Sequence, residues 1–158
     1  MSEGASQQAE ATIDPVDNYR SFLISSAAKV EFCLDLADTR GVSTIGKIIP
    51  IPGTVKSIVG LTYFRGGIEA AVDLRQIWEA SLDEVEKITH AVLVEAEGRR
   101  AVLLVDSLID LYNCNPVEAS SQYATSSFIG QDGEIKFNGR TIPIISAGLL
   151  LKSIDKIN

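Results

Sequence analysis

The sequence predicts a mostly β fold of many short strands with little helix, arranged as a small barrel or a pair of barrels. Residues Val30–Leu36 alternate between apolar and polar, which is the period of a half-buried strand. Asn138-Gly139 separates two apolar runs, and this pair favours a type I′ hairpin turn because both residues tolerate a left-handed φ. Turn signals recur about every 8–12 residues, a spacing typical of all-β barrels.

The first half of the chain predicts two strands, a loop and a hairpin. The strand candidates are Ser21–Ser25 and Val30–Leu36, and Pro50–Gly53 predicts a loop because proline interrupts regular elements. The hairpin covers Gly60–Arg75. Its turn is predicted at Arg65–Gly67, where glycine supplies the positive φ that a tight turn needs.

Two further hairpins are predicted in the second half. The first joins Ala91–Ala96 to Arg100–Val105 through the turn Glu97–Arg99. The second joins Glu134–Phe137 to Arg140–Ile145 around Asn138-Gly139.

Short helices complete the predicted order of elements. Leu74–Trp78 predicts a helical turn, and Ser81–Glu84 has the Ser-x-x-Glu pattern of a capping box. Ser146 is expected to cap a final helix that continues to Ile154. Because Pro143 cannot donate to a ladder, its strand is expected to be bulged or at a sheet edge there.

Length and composition predict one domain with its own core. The chain has 158 residues, of which 46% are hydrophobic, so we read residues 19–158 as a folded domain and residues 1–18 as a flexible leader. Cys33 and Cys114 are far apart in apolar contexts and are expected to be buried core residues.

The charge and the apolar runs limit the partners and the location. A net charge of −7 weighs against binding to nucleic acid or to anionic membranes, because both carry negative charge. No apolar run approaches the ~18 residues that a membrane span requires. The N-terminus has no basic start and no apolar core of a signal peptide, so a cytoplasmic protein is expected.

The residues that carry catalytic chemistry are sparse, which predicts a protein that is not an enzyme. His90 is the only histidine, and we expect it to be a partly exposed residue at the start of a strand. Together with two cysteines it is too little for a zinc site, and the chain has neither a Gly-x-Ser-x-Gly elbow nor a P-loop. We therefore predict no catalytic residue, no cofactor and no metal.

Arg65 is the residue that we single out for binding. Its planar guanidinium is suited to carboxylates and backbone carbonyls of a partner, although a solubilising turn residue would look the same in the sequence. Strand alternation places Tyr63 and Phe64 on opposite faces, so one is expected in the core and the other outside beside Arg65. Arginine beside an exposed aromatic residue is a common interface anchor.

These motifs, taken in order, resemble the CheW-like adaptor domain. The resemblance runs over about residues 20 to 154 and rests on the order and spacing of several segments. They are Phe32-Cys33-Leu34, Ile48–Gly53, Gly60 with its apolar step to Arg65-Gly66, Val72–Arg75, Gly98–Asp106 and the turn Asn138-Gly139-Arg140.

The resemblance implies a fold and a function. It implies two five-stranded SH3-like barrels packed side by side, with the hairpin of Gly98–Asp106 in the second barrel. Family members couple chemoreceptors to a CheA-type histidine kinase. One surface pairs with the kinase regulatory domain, and a groove between the barrels takes the helical tip of the receptor.

Five positions depart from the family pattern. Tyr63 stands where the family usually has Asn, Ala70 where it has Pro, and Gly41 where it has Glu. Val102 and Ser146 replace a common Gly and a common Asp.

We therefore predict a divergent adaptor of a flagellar, pilus or gliding system, with altered or partial partner binding. The alternative is an SH3-like interaction module outside chemosensing. The predicted protein-binding residues are Thr39, Gly41, Tyr63, Arg65 and Gly66.

Overall fold

Two β-sheets and a C-terminal helix organise the computed structural model, which describes residues 19–27, 29–78, 88–114 and 128–156. The strands are β1 Arg20–Ala27, β2 Val30–Asp35, β3 Thr39–Thr44, β4 Ile48–Ile49, β5 Ile58–Phe64, β6 Gly67–Asp73, β7 His90–Ala96, β8 Arg99–Val105, β9 Ser107–Cys114, β10 Gln131–Phe137 and β11 Arg140–Ile145. The helices are a 3₁₀ turn Leu36–Asp38, α1 Leu74–Ile77 and α2 Ala147–Lys156.

The two ends of the chain form one sheet and its middle forms the other. The five-stranded sheet has the order β10-β11-β2-β1-β9, and the six-stranded sheet has the order β3-β7-β8-β6-β5-β4. Neighbouring strands are antiparallel except for the pairs β11–β2 and β6–β8. The predicted mostly β fold is confirmed, and the sheets are consistent with two SH3-like subdomains.

The strand count of one sheet differs from the prediction. The six-stranded sheet contains the two-residue β4 in addition to the five strands that were expected. The hairpin β7–β8 lies in this second sheet together with the hairpin β5–β6. Parallel pairing of β6 with β8 joins the two hairpins, and turn signals carry no information about such a non-local contact.

The three predicted hairpins form, but two of their turns are one residue shorter than expected. The turns consist of Arg65-Gly66, Glu97-Gly98 and Asn138-Gly139, and both residues of each have positive φ. Gly67 pairs with Phe64 and Arg99 with Ala96, so each is already the first residue of its strand. Two-residue turns with positive φ match the right-handed twist of the flanking strands.

A shared core lies between the sheets and under α2. Phe32 and Leu34 of the first sheet pack in one cluster with Leu103 of the second and with Leu150 of the helix. Because both sheets bury side chains in the same cluster, their relative position is fixed by core packing. Cys33 and Cys114 are both buried, as predicted.

The predicted helix starts are confirmed where the structure describes them. The Asp73 carboxylate accepts from the Arg75 backbone N–H at the start of α1, and the Ser146 hydroxyl accepts from the Leu149 N–H at the start of α2. Each satisfies one of the N–H groups that a first helical turn leaves open. The predicted capping box at Ser81–Glu84 lies outside the described residues.

Pro143 occupies an interior strand at an irregularity of the ladder. It pairs with Glu134 of β10, and the register of β10 and β11 shifts between Gln131 and Glu134. On the other side of the strand, the pairing of β11 with β2 begins only at Ile144. Of the two predicted alternatives, the bulge is the one that forms.

Candidate protein-binding surface

Four side chains form an exposed apolar strip on the outer face of β4, β5 and β6. Ile49 is 56% exposed, and Tyr63 and Ile68 are each 70% exposed. Ile49 pairs with Leu61, and Tyr63 pairs with Ile68, so all four lie together on one face. They line a shallow cavity of about 260 Å³. We call Ile49, Leu61, Tyr63 and Ile68 the apolar strip.

Strand alternation and one glycine produce this strip. Thr62 and Phe64 point to the inner face of the sheet and are buried, which leaves Leu61 and Tyr63 for the outer face. β4 approaches β5 closely at Gly60, where a Cβ would lie 2.3 Å from the Ile49 carbonyl oxygen. Glycine at this position therefore lets Ile49 join the strip.

An apolar groove adjoins the strip on the same sheet. It encloses about 210 Å³ between α2 and the strands β5, β6 and β8. Its lining is Ile58, Ala70, Val72, Ala101, Leu151 and Ile154, with Arg99 and Arg100 as the charged members. Ala70 connects the two features, because it lines the groove and pairs with Leu61 of the strip.

Arg65 was predicted to lie beside the exposed Tyr63, but its side chain instead contacts β3. Its Nη2 donates to the Val42 carbonyl of β3 at 2.7 Å, and its guanidinium lies 5.6 Å from the centre of the Phe64 ring. Phe64 is 5% exposed and Tyr63 is 70% exposed, so the predicted opposite faces are confirmed. Arg65 lies on the Phe64 side.

The structure does not bring all of the other predicted binding residues together. Gly41 lies directly under Arg65, since a Cβ on Gly41 would be 2.8 Å from Arg65 Nη1. Gly66 is the second residue of the same turn. Thr39 donates its hydroxyl to the Asp35 carbonyl at 3.2 Å, and Tyr63 belongs to the strip. The structure thus joins Gly41, Arg65 and Gly66 and separates Tyr63 from them.

Four charged side chains form a ladder across the six-stranded sheet. Glu95 on β7 lies 3.4 Å from Arg40 on β3 and 3.6 Å from Arg100 on β8, and Arg100 lies 2.8 Å from Glu69 on β6. The hydrogen bond from Arg100 to Glu69 raises the pKa of the Arg100 guanidinium. We call Arg40, Glu95, Arg100 and Glu69 the charged ladder.

Sequence reasoning missed most of the strip and all of the ladder. Ile68 was not predicted to be part of a binding surface. The predicted three-residue turn would pair Ile68 with the buried Phe64, whereas the observed two-residue turn pairs it with Tyr63. The tolerance of both Arg65 and Gly66 for positive φ was the signal that would have found it. The ladder depends on the order β3-β7-β8-β6, which no local pattern specifies.

His90 is half-buried at the start of β7, where it was expected to be partly exposed. The Thr89 hydroxyl donates to the Asp106 carbonyl at 2.6 Å and lies 2.7 Å from Nδ1 of His90. Across the described ranges, no group of three His, Cys, Asp or Glu residues is arranged to hold a metal ion. Nor does any described helix combine the length and apolarity needed to cross a membrane.

Comparisons with known proteins agree with this architecture. The family model for the CheW-like domain matches residues 21–155. The crystal structure of the scaffolding protein TtCheW from Thermoanaerobacter tengcongensis superposes with a TM-score of 0.72 at 23% identity. The match covers 80% of this chain and 88% of that chain, and at this identity it is a likeness of fold. Among curated protein sequences no significant match is found.

Proposed function

The chain belongs to the CheW-like domain family, and on that premise we propose that it is a non-catalytic adaptor between chemoreceptors and a CheA-type histidine kinase. The family supports a scaffold role in chemotaxis signalling in general. The coupling of these two partners is our proposal, as is a cytoplasmic location, where receptor tips and the kinase meet.

The observation that carries the proposal is the uncovered apolar strip. Large apolar side chains that are exposed together typically mark a protein-binding surface, because leaving them in water is unfavourable. Tyr63 adds an aromatic anchor, the residue type that interface cores favour. We assign the strip to the kinase regulatory domain, whose own barrels would offer an apolar sheet face.

The groove beside α2 suits the second partner. It is concave and largely apolar, and an amphipathic helix can place its apolar side in such a groove. Arg99 and Arg100 at its lining would face the polar side of that helix. We assign the groove to the helical tip of the receptor.

The departures at Gly41 and Tyr63 favour a changed partner rather than a lost one. Tyr63 enlarges the apolar strip compared with the Asn that is usual in the family. Gly41 leaves Arg65 without the carboxylate that the family usually carries at this position. A partner adapted to this chain would therefore present a more apolar contact and its own acid.

Binding measurements with two probes test the proposal. The probes are the purified regulatory domain of the CheA-type kinase from the same organism and a receptor fragment that spans the helical tip. We expect both to bind, and we expect that saturation with one does not displace the other. If neither probe binds at concentrations up to about 1 mM, where association is worth only about 4 kcal/mol, the proposal is wrong.

A further inference from the structure

Acidic partners accompany most arginines of the described chain, but Arg65 has no acidic partner among the described residues. Five arginines have a carboxylate oxygen within 3.4 Å: Arg20 with Asp35, Arg40 with Glu95, Arg75 with Asp73, Arg100 with Glu69 and Arg140 with Glu31. Among the described residues, no carboxylate lies within ion-pair distance of Arg65. The protein has 21 acidic and 14 basic residues, so a shortage of acids does not explain this exception.

The guanidinium of Arg65 is held in place although its charge is not neutralised. Nη2 donates to the Val42 carbonyl, and the guanidinium lies over the face of the Phe64 ring. A carbonyl oxygen carries only a partial charge, so the contact orients the cation without cancelling it. This is the one side-chain hydrogen bond that Arg65 makes to described residues. It uses one of the two N–H groups of Nη2, so the other can still form a two-bonded edge together with Nε or Nη1.

The charged ladder reaches the neighbourhood of Arg65 without forming an ion pair with it. Along the ladder the signs alternate, from Arg40 at one end to Glu69 at the other. Arg65 contacts β3 next to Arg40, and Glu69 Oε2 lies 3.4 Å from the Cβ position of Gly67, beside the same turn. Neither glutamate of the ladder lies within ion-pair distance of Arg65, so its charge is not paired by the ladder.

We propose that this site binds one carboxylate of a partner protein, from an Asp or Glu side chain that pairs with the oriented guanidinium of Arg65. The planar edge of a guanidinium accepts a carboxylate through two parallel N–H···O bonds. Gly41 leaves the guanidinium uncovered on this side, because a Cβ on Gly41 would lie 2.8 Å from Arg65 Nη1. Gly41 and Arg65 together therefore set which partner fits.

The partner's identity rests on the proposed function, whereas the chemistry of the site does not. Acetate is the probe for the chemistry, and chloride at equal ionic strength is the control. In NMR spectra of the full chain we expect the Arg65 Nε–Hε signal to shift with acetate and not with chloride. We expect the signal of Arg140, which is already paired with Glu31, to stay in place. An Arg65 signal that responds equally to both anions, or no more than that of Arg140, overturns the carboxylate site.

Two variants extend the test to the kinase regulatory domain. Gly41→Glu places a carboxylate on the same chain, and Arg65→Gln removes the charge. We expect each to weaken binding of the regulatory domain about tenfold or more and to reduce its salt dependence. The double variant should be no weaker than the weaker single variant, because both changes remove the same contact.

Arg140→Gln is the matched control. Arg140 directly follows a two-residue hairpin turn, whereas Arg65 begins one, and it lies 5.7 Å from the centre of the Phe137 ring in the other sheet. The Arg140→Gln variant should leave binding unchanged.

Thermal unfolding of each variant separates lost binding from lost folding. Folded Gly41→Glu and Arg65→Gln proteins that bind like the parent chain contradict the proposal. If the parent chain itself does not bind, the proposed function fails and the acetate titration still decides the site.

Discussion

Asp73 and Arg75 form a two-pronged ion pair at the point where β6 passes into α1. Arg75 Nε donates to Asp73 Oδ1 at 2.9 Å and Nη2 donates to Oδ2 at 2.7 Å. Asp73 is only 4% exposed, and its carboxylate also caps α1 through the Arg75 backbone N–H. The side-chain hydrogen bonds from the guanidinium to Asp73 raise the pKa of Arg75. One carboxylate thus fixes the end of β6 to the start of α1.

We expect Asp73→Ala to lower the free energy of unfolding by about 3–5 kcal/mol. The change removes a helix cap and leaves a largely buried guanidinium without its counter-charge. Urea unfolding of the purified protein measures the effect. The double variant Asp73→Ala/Arg75→Met should recover part of the loss, because neither member of the pair is then left without the other. A double variant that is less stable than Asp73→Ala would show that the ion pair is not the cause.

Local signals in the sequence were sufficient for the hairpins and insufficient for the contacts between them. Strand alternation predicted that Phe64 and Tyr63 lie on opposite faces, because successive side chains of a strand point to opposite sides of the sheet. The direction of Arg65 depends on Val42, 23 residues earlier, and on the absence of a side chain at Gly41. Such contacts arise from how β3 and the hairpin meet in space, which a turn motif does not encode.

Cys33 makes stability fall at alkaline pH. Burial raises the pKa of its thiol, with a further contribution from Cys114, so the folded state keeps the proton that the unfolded state loses above about pH 8.5. The unfolded state then binds fewer protons, and stability decreases as the pH rises. We expect the difference in unfolding free energy between the parent chain and Cys33→Ala to shrink by about 2 kcal/mol between pH 8 and pH 10.

Chemical denaturation at the two pH values checks this expectation, since the lysines and the tyrosines are common to both proteins. A difference that stays constant would mean that the Cys33 thiolate forms equally well in both states. Thiol labelling gives a second reading, because Cys33 is 0% exposed and should react only through unfolding.

Gly60 controls whether β4 can join the sheet. It has a φ of +154°, and a Cβ there would lie 2.3 Å from the Ile49 carbonyl oxygen, so Gly60→Ala should cost about 1–3 kcal/mol of stability. Gly46→Ala is the matched control, because its Cβ would meet Thr62 and Tyr63 atoms at an ordinary 3.8 Å. We expect that variant to change stability by less than about 0.5 kcal/mol.

Hydrogen exchange shows where the effect of Gly60→Ala is felt. The amides of β4 and of β5 opposite it should lose protection first, because Ile48 pairs with Thr62 and Ile49 with Leu61. Uniform loss of protection across both sheets would contradict a local role for Gly60.

The apolar strip should affect binding without affecting stability. Tyr63 and Ile68 are each 70% exposed, so Tyr63→Ala and Ile68→Ala should change the unfolding free energy by less than about 0.5 kcal/mol. An aromatic residue at the centre of an interface commonly contributes about 2 kcal/mol or more. We therefore expect Tyr63→Ala to weaken binding of the kinase regulatory domain by about 30-fold. Leu111→Ala is the control, because Leu111 is 63% exposed on β9 of the other sheet. Calorimetric titration of the three variants decides the question: equal weakening by Leu111→Ala would mean that exposed apolar area in general, and not the strip, binds the partner.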